Sequence, residues 1–263
     1  MRRLVLTASG LLAFALPAHA QSGEDDGERR YRVAVGAQIV PSYPGADHNA
    51  VRPLFDAASA RGSTPFEYEA ADESPNIALY NQNGLEAGIA IGLQSARTPK
   101  RVGANLSKVD FTVEPGVFVG YYLMPQLRAY AEIRQGVNGH GGAAGFVGLD
   151  YVQRDADRWL LAVGPRLKLS DAKYRRAYFG VSQRDATAVG IPVYQVGGNA
   201  VQGVGLAATG LRQLTTHWGL YSYLAYDRLT GDAARSPITR QLGSKNQFSG
   251  GLALSYTFGR GVR

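Results

Sequence analysis

Residues 250–260 read "GGLALSYTFGR", and the choice of fold turns on the solvent that would suit this stretch. Leu252, Leu254, Tyr256 and Phe258 share one parity, while Gly251, Ala253, Ser255 and Thr257 share the other. Successive side chains of a β-strand point to opposite faces, so the stretch has one greasy, aromatic-tipped face and one small, uncharged face. A half-buried strand of a soluble sheet meets water on its second side and carries charge there. A transmembrane barrel reverses this: apolar residues face lipid, and polar or small residues face the lumen.

The same alternation recurs along the chain. In "YRVAVGAQI", Tyr31, Val33, Val35, Ala37 and Ile39 oppose Arg32 and Gln38. In "LEAGIAIGL", Leu85, Ala87, Ile89, Ile91 and Leu93 oppose Glu86 and small residues. "QLRAYAEIR" sets Leu127, Ala129, Ala131 and Ile133 against Arg128, Tyr130, Glu132 and Arg134. "WLLAVGPRLKL" sets Trp159, Leu161, Val163 and Leu167 against Gly164, Arg166 and Lys168. In "WGLYSYLAY", Trp218 and Tyr226 bracket Leu220 and Leu224, with Ser222 interrupting the face. That bracket spans about 26 Å of strand, or roughly 20 Å of membrane depth after tilt. Aromatic residues at the ends of apolar faces suit interfacial girdles.

Turn signals such as "YPGAD", "LMPQ", "NGHGG" and "RDADR" separate these segments, and no comparable amphipathic helix follows residue 30. The expected fold is all-β: a transmembrane antiparallel up-and-down barrel of about 12 strands, with 10 as the alternative count. The least regular part of the pattern lies between residues 51 and 80. The closing strand is expected to pair with the first, which removes sheet edges.

Composition agrees with export. The 263 residues include 33 Gly, 15 Tyr, 2 Trp and no Cys, which excludes disulfides, thiolate metal sites and a Cys nucleophile. "MRRLVLTASGLLAFALPAHA" carries Arg2 and Arg3, an apolar stretch too short to span a bilayer, Pro17, and the small-x-small triplet Ala18-His19-Ala20. This is the pattern of a signal peptide over residues 1–20, cut between Ala20 and Gln21. Its removal takes two positive charges from a formal net charge of +7. Residues 21–30 are polar and expected to be disordered, and residues 31–263 to form the barrel as one domain.

"PSYPGAD" after the first strand, "AYFGVS" at 177–182, "LTGDAARSPI" at 229–238 and the "SYTF" ending occur in the order found in the MipA/OmpV family, which the whole mature chain resembles. The resemblance implies a β-barrel in the Gram-negative outer membrane. It also implies a non-enzymatic scaffold joining a lytic transglycosylase to a murein synthase, and it supplies no catalytic residues. A narrow channel for small solutes is the alternative, and a rim-site envelope hydrolase a third reading.

The residues themselves offer little catalytic chemistry. "NGHGG" around His140 lacks a second ligand at metal spacing and reads as a hairpin tip. "GVGLAA" at 203–208 matches a dinucleotide fingerprint only formally, since it starts an alternating strand. Ser42 beside Asp47 and His48 is the one tempting hydrolase cluster, and sequence neighbours cannot be presumed to meet in triad geometry. No cofactor, metal or nucleic-acid partner is expected. Candidate lumen residues are Arg128, Glu132, Arg134, Arg166, Tyr221 and Tyr223. Candidate contacts to outer-membrane lipid and lipopolysaccharide phosphates are Arg97, Lys100, Arg101, Lys173, Arg175 and Arg176, with solvated loop charge as the plainer reading.

Overall fold

Alternating segments become strands, and the computed structural model, which describes residues 27–259 together with Gly261 and Val262, contains eleven of them. They are β1 (Arg29–Pro41), β2 (Asn49–Arg61), β3 (Asn76–Gln82), β4 (Leu85–Gln94), β5 (Thr112–Met124) and β6 (Leu127–Gln135). The series continues with β7 (Ala143–Asp155), β8 (Trp159–Ser170), β9 (Val201–Gln213), β10 (Trp218–Leu229) and β11 (Asn246–Phe258). The signal-peptide reading and the segment 21–26 lie outside the described residues. β1 begins at Arg29, inside the segment expected to be disordered, and Arg30 is already buried.

All pairings are antiparallel, in the order β2-β1-β11-β10-β9-β8-β7-β6-β5-β4-β3. β1 meets β11, with Tyr31 opposite Phe258 and Ile39 opposite Gly250, so first and last strands pair as expected. The free ends of the order are β2 and β3. The sheet curls so that near its loop end one side chain reaches across, Arg52 of β2 donating to the Ser95 hydroxyl just beyond β4 at 2.8 Å. The result is a barrel open along one seam.

Short and long connections sort to opposite ends. Turns at 83–84, 125–126, 156–158 and 214–217 lie at one end, the turn end. Asn83 and Gly84 both adopt positive φ, as a two-residue hairpin turn requires. The loop end carries connections at 42–48, 95–111, 136–142, 171–200 and 230–245. Five short helices cap it: α1 (Pro99–Val102), α2 (Ala172–Phe179), α3 (Gln183–Val189), α4 (Gly231–Arg235) and α5 (Pro237–Gln241). This division of short turns from long loops is that of outer-membrane barrels.

The count of eleven corrects the expected twelve, and the physical reason lies in residues 62–75. β2 and β3 both run from the loop end toward the turn end. The chain between them must therefore climb back, and it does so through the barrel interior rather than in the wall.

Exposure is inside out. Leu224 is 72% exposed and Leu252 61%, while the opposite-parity Ala34 is fully buried and Ala253 3% exposed. Trp218, Tyr256 and Phe258 form an exterior aromatic cluster at the turn end, with successive ring centroids 4.8 Å apart. Tyr226 and Phe248 pair likewise, at 4.8 Å, toward the loop end. A wall with apolar residues outside and ionic groups inside is stable in hydrocarbon, not in water.

Candidate functional site

Among the described residues the largest gathering of buried ionisable side chains is in the lumen, and residues 62–75 run through it. This plug bears Glu67, Glu69, Asp72 and Glu73 and no cation. Its attachments follow its climb. At the turn end, Arg30 donates to the Thr64 carbonyl at 2.5 Å, and the Phe66 amide donates to Asp157 at 2.9 Å. The guanidinium carbons of Arg30 and Arg32 each sit 4.8 Å from the Phe66 ring centroid. Such contacts combine cation–π attraction with packing.

At mid-height Arg128 of β6 grips Glu73 through Nη1 at 2.5 Å and Nη2 at 3.1 Å, and its Nε donates to Glu86 of β4 at 2.8 Å. Arg166 of β8 donates to Asp72 through Nε at 2.9 Å and to Asp150 through Nη1 at 2.9 Å. Lys168 adds a contact to Asp72 at 3.0 Å. Higher up, the Ser74 amide and hydroxyl donate to Glu132 at 3.1 and 3.0 Å. Arg134 bonds Glu132, the Ser74 hydroxyl and, through Nε at 2.8 Å, Glu114. Small residues on neighbouring strands make this possible: a Cβ on Gly148 would stand 2.9 Å from Arg166 Nη1, and one on Gly120 would overlap Glu86.

The ionic ladder continues into the cap. His140 is buried, accepts from the Gly142 amide at Nδ1 (3.0 Å), and so donates from Nε2 to Glu114 at 2.6 Å. Tyr174 of α2 meets the His140 ring edge-on at 4.7 Å, and Tyr178 lies 5.7 Å away. His140 therefore lies in the β6–β7 hairpin connection, as expected, with its ring buried at the lumen mouth. Among the described residues no cluster of three metal-ligating side chains occurs.

Three stretches far apart in sequence build the cap over this mouth. Ser236 donates to the Phe179 carbonyl at 2.6 Å, and Arg97 donates to the Tyr178 carbonyl at 2.5 Å. The Gly45 amide donates to Gln247 at 3.0 Å, and any Cβ at Gly45 would press on Phe179 at 3.1 Å. "PSYPGAD", "AYFGVS" and "LTGDAARSPI" thus supply packing and hydrogen bonds to one structure.

All six candidate lumen residues face inward. Arg128, Glu132, Arg134 and Arg166 hold the plug. Tyr221 and Tyr223 line the opposite wall with Ala34, Leu54 and Ala253, and Tyr223 donates to Gln38 at 2.5 Å. Sequence reasoning missed Asp72, Glu73, Glu86, Glu114 and Asp150. Inward parity marks the last three, but nothing local marks the plug. At the turn end a cavity of about 30 Å³ beside the plug is bordered by Arg32, Asp56, Glu69 and Tyr221. It has room for little more than water.

Two of the candidate lipid contacts are corrected. Arg97 and Arg175 are each only 2% exposed; the first is tied to Tyr178 and Ser107, the second to Ser170 and Gly197. A buried guanidinium satisfying backbone carbonyls organises loops and cannot reach a lipid phosphate. Lys100, Lys173 and Arg176 remain exposed, and Arg101 is half-buried.

Ser42, His48 and Asp47 do meet: Ser42 Oγ lies 3.0 Å from His48 Nε2, and His48 Nδ1 2.8 Å from Asp47 Oδ1. The chain resembles a triad in distance but not in setting. Ser42 is 3% exposed, while the Asp47 carboxylate, which a triad would bury as its orienting acid, is 60% exposed. The nearby amides of Ser42, Gly45 and Ala46 bond to His48, Gln247 and Tyr43, so they are not available to an oxyanion. The chain closes the loop.

A family model described as "MltA-interacting protein MipA" matches residues 33–258. No curated protein matches the chain. Among solved structures, the chain is similar to an outer membrane channel from Pseudomonas putida F1. The identity there is 9% over 93% of this chain and 100% of that chain, with a TM-score of 0.42. It is similar to Neisserial surface protein A at 12% identity over 88% and 97%, with a TM-score of 0.28. The outer membrane protein OprG from Pseudomonas aeruginosa shares 11% identity over 88% and 98%, with a TM-score of 0.27.

Proposed function

Because the chain belongs to the MipA family of MltA-interacting proteins, we propose that it is a non-enzymatic outer-membrane barrel that acts as a scaffold for murein-hydrolysing and murein-synthesising enzymes. The turn end then faces the periplasm and the helical cap faces outward. Exposed Lys100, Lys173 and Arg176, with half-buried Arg101, would meet lipopolysaccharide phosphates at the outer surface.

The observation that carries the reading is the shut lumen. A pore needs a continuous water path, and here a plug held by Arg128, Arg134, Arg166 and Lys168 lies beneath a cap sealed by His140, Tyr174 and Tyr178. A lumen plugged in this way favours a protein that works through its surfaces.

Planar-bilayer recording of the purified barrel tests this, with heat-modifiable gel mobility showing that it is folded. The expected result is an electrically silent bilayer, together with retention of a lytic transglycosylase and a murein synthase on the immobilised barrel. Regular conductance steps from the unmodified protein, or no retention of either enzyme, would refute the scaffold.

A further inference from the structure

The seam and the plug fit one another. β2 and β3 flank the seam, run in the same direction, and leave their facing edges without a strand partner. Unpaired strand edges are costly in hydrocarbon, where no water can satisfy the backbone. One strand running the opposite way would be antiparallel to both. The plug is the ascending segment that lies between them in the chain.

Its sequence has the form of a wall strand. In "PFEYEA", Phe66, Tyr68 and Ala70 alternate with Glu67 and Glu69. Residues 65–71 match the length of β3 (Asn76–Gln82), and "DESP" at 72–75 has the residues of a tight turn between them. In the lumen Phe66, Tyr68 and Ala70 are buried, while Glu67, bonded by Asn81 of β3, and Glu69 are exposed on the seam side. A seat in the wall therefore requires the segment to turn its acidic face inward and its apolar face to lipid. Glu69 makes no hydrogen bond or ion pair among the described residues.

The wall also keeps its own charge balance. Arg128 has Glu86 as well as Glu73, Arg166 has Asp150 as well as Asp72, and Lys168 lies 3.9 Å from Asp227 as well as near Asp72. The plug's carboxylates are second partners. Withdrawing them leaves no wall cation unpaired, so departure avoids the heavy cost of an isolated buried charge.

We infer that residues 62–75 are a displaceable plug whose second seat is the seam between β2 and β3, and that the barrel therefore contains a latent pore for small polar solutes. In that second state the wall has twelve strands and the lumen is open. The pore is lined by paired charges and by Tyr221 and Tyr223, which makes it weakly charge-selective. This adds a transport state to the scaffold, and it rests on the membrane-barrel reading alone.

The experiment records conductance of the D72N/E73Q variant, with the wild type in parallel. Removing both surplus carboxylates is expected to turn a silent barrel into one with regular conductance steps, a shift of roughly 10- to 100-fold in the closed–open equilibrium. Adding S74C and E132C to that variant supplies two thiols in a chain with no other cysteine. Bridging them with a short bis-methanethiosulfonate is expected to abolish the steps, and reduction to restore them. Should D72N/E73Q fail to shift mobility on heating, D72N alone is recorded with the same expectation at lower amplitude. A folded variant as silent as the wild type overturns the plug, and so do steps that persist after bridging. Conductance by the wild type counts against the scaffold and leaves the bridging test of the plug intact.

Discussion

Replacing Arg128 by Met should cost far more than replacing Glu73 by Gln, although the two residues share one ion pair. Arg128 is 1% exposed and holds two carboxylates, Glu73 at 2.5 Å and Glu86 through a charge-assisted hydrogen bond. Its guanidinium also lies 4.7 Å from the Tyr130 ring centroid. R128M keeps an unbranched apolar stem and removes the guanidinium, which leaves two buried carboxylates facing each other without a cation. Removing one partner of a buried pair costs about 3–5 kcal/mol, two to three and a half powers of ten in the unfolding equilibrium at roughly 1.4 kcal/mol per power. E73Q leaves the Arg128–Glu86 pair intact and keeps an acceptor for the second guanidinium nitrogen. Its cost is the difference between a charged and a neutral hydrogen bond, about 1 kcal/mol. Urea unfolding in lipid vesicles, followed by heat-modifiable mobility, measures both. Equal losses for the two variants, or an R128M barrel within about 1 kcal/mol of wild type, would refute the view that the plug's carboxylates are surplus.

Three further outcomes follow from the geometry. Gly148→Val should destabilise the barrel by about 1–3 kcal/mol in the same assay, because the added side chain drives into Arg166, whereas the equivalent change at exposed Gly198 should be nearly silent. Trp159 and Trp218 stand two residues apart in height, since Trp159 faces Arg212 and Gly219 faces Gln213. Lipids brominated near the headgroup should quench both fluorophores about equally, and mid-chain bromines should quench them less; the reverse order would move the girdle. In the cap, burial by itself pushes the Asp185 carboxyl up, but donors from Ser107 and Ser182, with Arg97 nearby, outweigh it and hold the group below its ordinary value. The ionised form therefore stabilises α3 fully above the unfolded value near ~3.9, and that stability is lost as pH falls through the lowered one. Hydrogen exchange in residues 171–200 should accelerate in acid, and Asp185→Asn should remove most of that dependence.

Alternation is a local property, so the sequence by itself determined the all-β barrel, the pairing of first and last strands, and the inward side of Arg128, Glu132, Arg134, Arg166, Tyr221 and Tyr223. A parity once set in a strand cannot slip without turning every lipid-facing residue inward. Parity is blind to what lies beside a strand. "PFEYEA" alternates like the segments around it, yet it lies in the lumen, because its place depends on Arg128, Arg166 and Lys168 from strands distant in sequence. For the same reason Arg97, Arg175 and His140 resembled surface groups until the loops that cover them were in place. Only the tertiary structure could decide that the twelfth segment is a plug and the wall has eleven strands. That choice balances backbone pairing at the seam against ion pairs across the lumen, and neither quantity is written in any one stretch of the chain.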